Sequence, residues 1–168
     1  AFYTNVLAAN LLAWLAIDRH DVTVADFACG SGGLLVAAYR RKKYLLEKER
    51  EFIEDDHKRF IEKELLGIDV MPFAANIAAC HLALQAPQFM TDKVNIAIWD
   101  STELNPGEII PSIARLKFIL KGQTDLDMYI EPGPEIKGVV KLRDEEEDEI
   151  RLEKVDVVIM NPPFTRQE

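Results

Sequence analysis

Four short apolar segments alternate with helical patterns along the chain, and this alternation constrains the fold more than any other feature. The segments are rich in β-branched residues and span residues 21–27, 65–70, 93–100 and 155–160. Segments of this length and composition predict strands. Strands that alternate with helices predict an α/β domain with a mostly parallel sheet and helices on both of its faces.

The stretches between these strands predict helices. Residues 6–18 have helical periodicity and carry four leucines on one side: Leu7, Leu11, Leu12 and Leu15. Residues 34–65 predict one long, largely solvated helix or two helices with a single apolar stripe, on which His57 is expected to be exposed. Pro72 can occupy the first turn of a helix over residues 73–85.

Residues 104–154 interrupt the alternation with four prolines, several glycines and a polar run. This stretch predicts an insertion, with a helix near residues 109–120 and a hairpin around residues 138–152. Its composition does not indicate a function.

The composition is that of a globular domain with a reduced, intracellular location. The 168 residues suit one domain, and the apolar share is 48%. No apolar run reaches the roughly 20 residues of a membrane span, so we expect a cytoplasmic protein. Cys29 and Cys80 have no CxxC partners, so we expect no metal site. The net charge of −9 argues against a protein whose whole surface binds nucleic acid.

A glycine-rich loop, DFACGSGG at residues 26–33, joins the first strand to a helix. Gly30 and Gly32 permit backbone conformations and close approaches that a Cβ would block. The amides at the start of the helix would favour an anionic group. The loop lacks the third glycine of the dinucleotide fingerprint, and Asp69 lies farther from it than the roughly 20 residues of that fingerprint. Both departures disfavour binding of NAD.

Acidic residues end the second and third strands, at Asp69 and Asp100. The carboxyl ends of the strands are where open α/β sheets bind ligands. Asp69 could accept hydrogen bonds from both hydroxyls of a ribose, and Asp100 could accept one from an exocyclic adenine amine. Helix capping or solvation remains the alternative for each residue taken alone.

The fourth strand runs into Asn-Pro-Pro-Phe at residues 161–164. The two prolines lack backbone donors and stop the strand, and Asn161 is held extended because a proline follows it. The motif therefore predicts a stiff tip that presents an amide, free carbonyls and an aromatic ring. A plain turn, with Phe164 as an ordinary core residue, is the alternative.

Taken in order, FYTN, DFACGSGG, GIDVMP, WDS and NPPF resemble the motifs of S-adenosylmethionine-dependent N6-adenine DNA methyltransferases. The order is the gamma arrangement found in modification subunits of restriction–modification systems, and the resemblance spans nearly the whole chain. It implies a Rossmann-like methyltransferase fold with the strand order 3-2-1-4.

The resemblance also implies that the domain is incomplete. Such folds have seven strands, whereas the sequence predicts about four and lacks a target-recognition region. We therefore predict that residues 1–168 are a partial domain, inactive on its own. The open edge of the fourth strand is expected to be covered by the insertion, by crystal contacts or by a second copy. Double-stranded DNA, bound through regions missing here, is the expected partner, with specificity or restriction subunits as further possible partners.

The resemblance assigns cofactor-binding residues motif by motif. Asp26, Gly30 and Gly32, together with Ala28, would line the methionine end of the cofactor. Asp69 would hold the ribose, with Val70 beside the adenine, and Asp100, with Ser101, would bind the adenine amine. Tyr3 and Thr4 match the N-terminal cofactor segment of the family, although Asn5 stands where the family usually has proline.

The same resemblance assigns the catalytic residues. The side-chain oxygen of Asn161 and the carbonyl of Pro162 would accept the two N6 hydrogens of adenine, and Pro163 would keep these acceptors rigid. Phe164 would stack on an adenine flipped out of the duplex.

Three other functions remain open from the sequence. Methyltransferases that act on rRNA guanine N2 can also carry NPPF, whereas those that act on protein glutamine generally carry NPPY. A non-catalytic module that binds S-adenosylmethionine or DNA is a second alternative. A NAD-dependent oxidoreductase, disfavoured by the glycine pattern, is the third.

Overall fold

The structure is a computed structural model and describes residues 4–111, 137–142 and 149–162. Its α-helices in these ranges are α1 (Val6–Ala16), α2 (Gly33–Glu47), α3 (Glu54–Arg59) and α4 (Pro72–Ala83). A π-helical turn (Phe60–Glu64) follows α3, and a single 3₁₀ turn (Ser101–Glu103) follows the third strand. The strands are β1 (Val24–Asp26), β2 (Leu65–Asp69), β3 (Lys93–Ile98), β4 (Ile109–Ile110), β5 (Gly138–Lys141), β6 (Ile150–Arg151) and β7 (Val157–Val158).

The four strands predicted from the sequence form the parallel part of a five-stranded sheet, which has the order β5-β3-β2-β1-β7. Strand β1 pairs in parallel with β2 and with β7, and β2 pairs in parallel with β3. Because β7 is the fourth predicted strand, the predicted order 3-2-1-4 is confirmed.

The fifth strand comes from the stretch predicted to be an insertion. Strand β5 pairs antiparallel with β3 at the edge of the main sheet, whereas β6 pairs with β4 in a separate two-stranded sheet. The predicted hairpin around residues 138–152 is therefore wrong, since its two arms have different partners. Val139 and Val140 are both buried, which fits β5 to the open edge of β3. The helix expected near residues 109–120 starts instead as strand β4, and its remainder lies outside the described residues.

The two faces of the main sheet are covered differently. Helices α1, α2 and α4 bury residues against one face, where Val24, Leu65 and Ile96 point. The other face carries Ala25, Ile68 and Ala97 and packs against residues of the two-stranded sheet, among them Ile110 and Ile150. We expected helices on both faces, but those packed in the described ranges share one face. Successive right-handed crossovers from β1 to β2 and from β2 to β3 place α2 and α4 on the same side.

Helix α1 turns its small residues, not its leucines, towards the core. Ala9 and Ala13 are buried, whereas Leu7 and Leu15 are each 78% exposed. Alanines allow α1 to approach α2 closely, and the row of leucines that gives the helix its periodicity faces outward. The periodicity predicted the helix, but its apolar side is not the buried side.

The segment predicted as one or two helices folds into α2, α3 and the π-helical turn. The expectation that His57 is exposed is wrong: the residue is fully buried, and its Nδ1 lies 2.7 Å from the hydroxyl of Tyr39. Lys42 is also fully buried and forms an ion pair with Glu64 at 2.7 Å. Two polar residues of this segment are thus buried against partners from the same segment.

Strand β7 is attached to β1 by a side-chain clamp. The backbone N–H and the hydroxyl of Thr23 both donate to Asp156 Oδ2, at 2.8 and 2.9 Å, and the Asp156 N–H donates to Thr23 Oγ1 at 2.9 Å. In the described residues, β7 has no strand on its other side. No helix in the described ranges is both long enough and apolar enough to cross a bilayer.

Candidate functional site

The glycine loop has a left-handed backbone at two positions that serve different purposes. Gly30 has φ +52°, and an added Cβ there would find no atom within 4 Å. Gly32, the residue before α2, has φ +83°, and an added Cβ would lie 3.0 Å from Ala78 on α4. Gly30 therefore leaves open space beside the loop, whereas Gly32 permits close packing between α2 and α4.

Asp26 ends β1 and is only 2% exposed. Its Oδ1 accepts a hydrogen bond from the Ala28 N–H at 3.1 Å. Burial raises the pKa of the Asp26 carboxyl from 3.8 to about 7, against the opposing effect of the Ala28 hydrogen bond, and the nearby charge of Asp69 raises it further. A carboxyl with this pKa near neutral pH is poised to become fully ionised when a cation binds beside it.

Asp69 connects the glycine loop to the loop after β2. Its Oδ2 accepts from the Gly30 N–H and its Oδ1 accepts from the Met71 N–H, both at 2.8 Å. Each carboxylate oxygen has two acceptor positions, so each retains one for a ligand. The carboxylate is therefore fixed in place by the backbone while it can still accept hydrogen bonds from a pair of hydroxyls. The side chain of Val70 next to it is 56% exposed.

A cavity of about 200 Å³ lies beside the ends of β2 and β3. Its lining consists of Val70, Pro72, Ile98, Trp99, Asp100, Glu103 and Lys137. Asp100 Oδ1 accepts hydrogen bonds from the hydroxyl and the N–H of Thr102, at 2.7 and 2.9 Å. These bonds lower the pKa of Asp100, and the charge of Lys137 lowers it further. Ser101 begins the 3₁₀ turn that follows and does not line the cavity.

Asn161 follows β7, whose alignment with β1 continues through a hydrogen bond from the Ile159 N–H to the Ala25 carbonyl at 2.9 Å. The Asn161 side chain is exposed, and its Nδ2 donates to Thr4 Oγ1 at 3.1 Å. The structure thus brings Asn161 to the N-terminal segment that was predicted to bind the cofactor. Tyr3, Pro163 and Phe164 lie outside the described residues.

The predicted site residues therefore fall into three groups at the carboxyl ends of adjacent parallel strands. In the first group, Asp26 and Asp69 flank Gly30. In the second group, Val70 and Asp100 line the same cavity. In the third group, Thr4 contacts Asn161. A hydrogen bond from the Trp99 N–H to the Asp69 carbonyl, at 3.0 Å, joins the first two groups. Adjacent strand ends at one edge of an α/β sheet form the usual place for a ligand.

The family model for N-6 DNA methylases matches residues 1–168, the whole chain. The chain belongs to the N-6 DNA methylase family.

Two solved structures of modification subunits are similar to this chain. The M protein of the type I restriction enzyme EcoKI has a TM-score of 0.41 and 18% sequence identity, over 52% of this chain and 17% of that chain. A modification subunit of a putative type I restriction enzyme from Vibrio vulnificus YJ016 has a TM-score of 0.43 and 19% identity, over 62% of this chain and 21% of that chain. The aligned part thus amounts to about a fifth of each solved chain.

Five of the seven residues that line the cavity were not predicted as site residues, and two of them, Trp99 and Lys137, form walls of it. Trp99 forms one wall, and its position directly before Asp100 was the signal that could have indicated it. Lys137 forms another wall, lies 5.5 Å from the centre of the Trp99 ring and is paired with Glu103 at 3.2 Å. No local pattern indicates Lys137, because only the pairing of β5 with β3 brings it to the cavity.

Proposed function

We propose that this chain forms the cofactor-binding and catalytic part of a DNA adenine-N6 methyltransferase of the restriction–modification type. The proposed reaction transfers a methyl group from S-adenosylmethionine to an adenine flipped out of the duplex. The observation that carries the proposal is the hydrogen bond of Asn161 to Thr4, at the same edge of the sheet as Asp26, Asp69 and Asp100. The family of the chain supports the reaction type.

The residues at this edge fit the proposed cofactor. Gly30 leaves room for close approach of the methionine part, and Asp26 offers a carboxyl that a cationic amine would ionise. Asp69 retains one acceptor position on each oxygen for the ribose hydroxyls. The cavity with Val70 and Asp100 suits an adenine ring and its amine. When bound, the cofactor supplies an activated methyl group.

The chain acts on the target base through hydrogen-bond acceptors. An adenine N6 amine is a poor nucleophile because its lone pair is delocalised into the ring. Asn161 Oδ1 and the Pro162 carbonyl would accept the two amine hydrogens and turn the lone pair out of the ring plane. Because Thr4 engages Asn161 Nδ2, the acceptor end of the amide remains available. Catalysis of this kind consists of positioning and electrostatic stabilisation.

The remaining roles are proposals of the same kind. Tyr3 would complete the cofactor segment, Pro163 would stiffen the tip and Phe164 would stack on the flipped base. Because the chain carries a net charge of −9, we propose that polypeptide other than residues 1–168 makes most contacts to the DNA phosphates. Specificity or restriction subunits are the proposed protein partners, and a second copy paired along the open edge of β7 is a further proposed contact.

The test is an assay of the complete enzyme with radiolabelled S-adenosylmethionine on unmethylated DNA, on rRNA and on a glutamine-containing protein. We expect label on adenine N6 of DNA, and none when Asn161→Ala replaces the wild type. Label on rRNA or on protein alone would contradict the proposed substrate. Calorimetric titration with S-adenosylmethionine and with NAD provides the cofactor test, and binding of NAD alone would contradict the proposal. Binding of S-adenosylmethionine without transfer to any substrate would favour a non-catalytic module.

A further inference from the structure

The carboxamide of Asn161 can adopt two orientations that have nearly the same shape. In one, Oδ1 faces the target position, and in the other Nδ2 faces it. Only the first orientation offers a hydrogen-bond acceptor to the target amine. In the second orientation, the Nδ2 donor faces the amine, which is also a donor. Asn161 is exposed, so close packing of neighbouring side chains does not enforce either orientation.

We propose that Thr4 is a positioning residue that holds the carboxamide of Asn161 in place. Thr4 Oγ1 accepts from Asn161 Nδ2 at 3.1 Å, so that Oδ1 is directed away from Thr4. A threonine hydroxyl can accept or donate, so it is the loss of the hydroxyl, not a change in its direction, that would free the carboxamide. This inference rests on the proposed function, in which Asn161 Oδ1 accepts from the target amine.

Thr4 is held in place by the start of helix α1. Asn5 caps the helix, because its Oδ1 accepts from the Leu7 N–H at 2.9 Å and its carbonyl accepts from the Ala9 N–H at 2.9 Å. Ala9 and Ala13 then fix the helix to the core. Thr4 is thus the residue before a capped and packed helix, which limits how far its hydroxyl can move from Asn161.

The backbone of Asn161, on the other side of this contact, is also held in place. The backbone hydrogen bond from Ile159 to Ala25 aligns the end of β7 with β1, and the proline after Asn161 restricts it to extended geometry. With both backbones fixed, the side-chain torsion of Asn161 is the main freedom left at this contact. A single hydrogen bond is enough to bias that torsion.

This role differs from the one that the resemblance implies for Thr4. A residue of the cofactor segment would change cofactor affinity when it is replaced. A residue that orients Asn161 would change turnover and leave cofactor affinity unaltered. The two roles therefore predict different kinetic results for the same substitution.

The kinetic experiment compares Thr4→Val and Thr4→Ser with wild type, using the complete enzyme. Valine has the shape of threonine without the hydroxyl, and serine keeps the hydroxyl. We expect Thr4→Val to lower kcat by about tenfold, the upper range for one hydrogen bond, with the cofactor Kd unchanged within about twofold. Thr4→Ser should keep most of the activity. Thr91→Val is the matched control, because Thr91 Oγ1 also forms a hydrogen bond with a side chain outside the site, in this case as the donor to Glu62 Oε1 at 3.0 Å.

Spectroscopy separates this inference from the proposed function. In ¹⁵N spectra of the 168-residue chain, Thr4→Val should shift the side-chain amide signals of Asn161, whereas Thr91→Val should not. Unshifted signals, an unchanged kcat or a loss confined to cofactor affinity would each overturn the inference. Shifted signals in an enzyme that does not methylate adenine would instead overturn the proposed function and the catalytic purpose of Thr4.

Discussion

Thr4 Oγ1 and Asn161 Nδ2 lie 3.1 Å apart although 157 residues separate them in the sequence. The contact joins the segment before the first helix to the tip after the last described strand. Any movement of helix α1 would therefore be transmitted to the group that we propose to bind the target base. The predictions below concern the residues around this contact and around the glycine loop.

Asn161→Ala should abolish methylation of adenine in the complete enzyme and leave the cofactor Kd nearly unchanged. Asn161 contacts Thr4 and no other side chain within hydrogen-bond distance in the described residues. The measurements are methyl transfer to DNA and calorimetric titration with S-adenosylmethionine. Full activity in this variant would exclude the role assigned to Asn161.

Asp69→Ala should weaken cofactor binding by roughly 1.5–3 kcal/mol, the scale of hydrogen bonds to a charged group. The substitution also leaves the N–H groups of Gly30 and Met71 without their acceptor, so the glycine loop should loosen. Calorimetry measures the affinity, and amide hydrogen exchange at Gly30 measures the loosening. Asp21→Ala, which removes an exposed ion pair to Arg19, is the control and should change neither.

The ionisation of Asp26 should make both stability and binding depend on pH. The pKa of Asp26 is about 7 in the folded chain, against an ordinary value of 3.8, so the folded state holds its proton more tightly. The Asp26 contribution to the free energy of unfolding should therefore be largest at acidic pH, fall between about pH 4 and pH 7 and stay constant above. Urea unfolding of wild type and Asp26→Asn at several pH values isolates this contribution as their difference.

The affinity for the cofactor should depend on pH in the opposite direction to the stability, because the cofactor carries a cationic amine. Because only ionised Asp26 pairs with an ammonium group, affinity for S-adenosylmethionine should rise with pH up to about 7 and then level. Asp26→Asn should bind more weakly and lose this rise. An equal pH dependence in the variant would assign it to another group.

Gly30→Ala and Gly32→Ala should separate ligand binding from packing. Both positions have a left-handed backbone, so each substitution should cost roughly 1 kcal/mol of stability. Gly32→Ala also places a Cβ 3.0 Å from Ala78, so it should lower the melting temperature further. Gly30→Ala meets no protein atom, so it should reduce cofactor affinity more than stability. Thermal melts and titrations of the two variants provide the comparison, and equal effects on both properties would contradict this division.

Much of the fold follows from local patterns in the sequence. The β-branched runs predicted the four parallel strands, and the order of the sheet followed from the resemblance. Asp69 and Asp100 were predicted at strand ends because local sequence fixes where a strand stops. Gly30 and Gly32 were predicted where a Cβ would block the backbone conformation or a close approach, and both have positive φ.

The remaining features depend on contacts between distant segments. The leucines of α1 face outward because alanines on the other side allow closer packing against α2, which periodicity alone does not reveal. His57 is buried because Tyr39 supplies a partner for its ring. Lys137 reaches the cavity because β5 pairs with β3. None of these contacts can be predicted from the local sequence.

The clamp between Thr23 and Asp156 has a consequence for how the length of the chain can change. It closes a loop of 133 residues, and the entropy of closing so long a loop grows only slowly with length. Doubling the loop would cost about 0.6 kcal/mol, less than one good hydrogen bond contributes. The parts of the stretch between β3 and β7 that lie outside β4, β5 and β6 can therefore gain or lose many residues while the sheet still closes, so this is where we expect sequences of this kind to differ most in length.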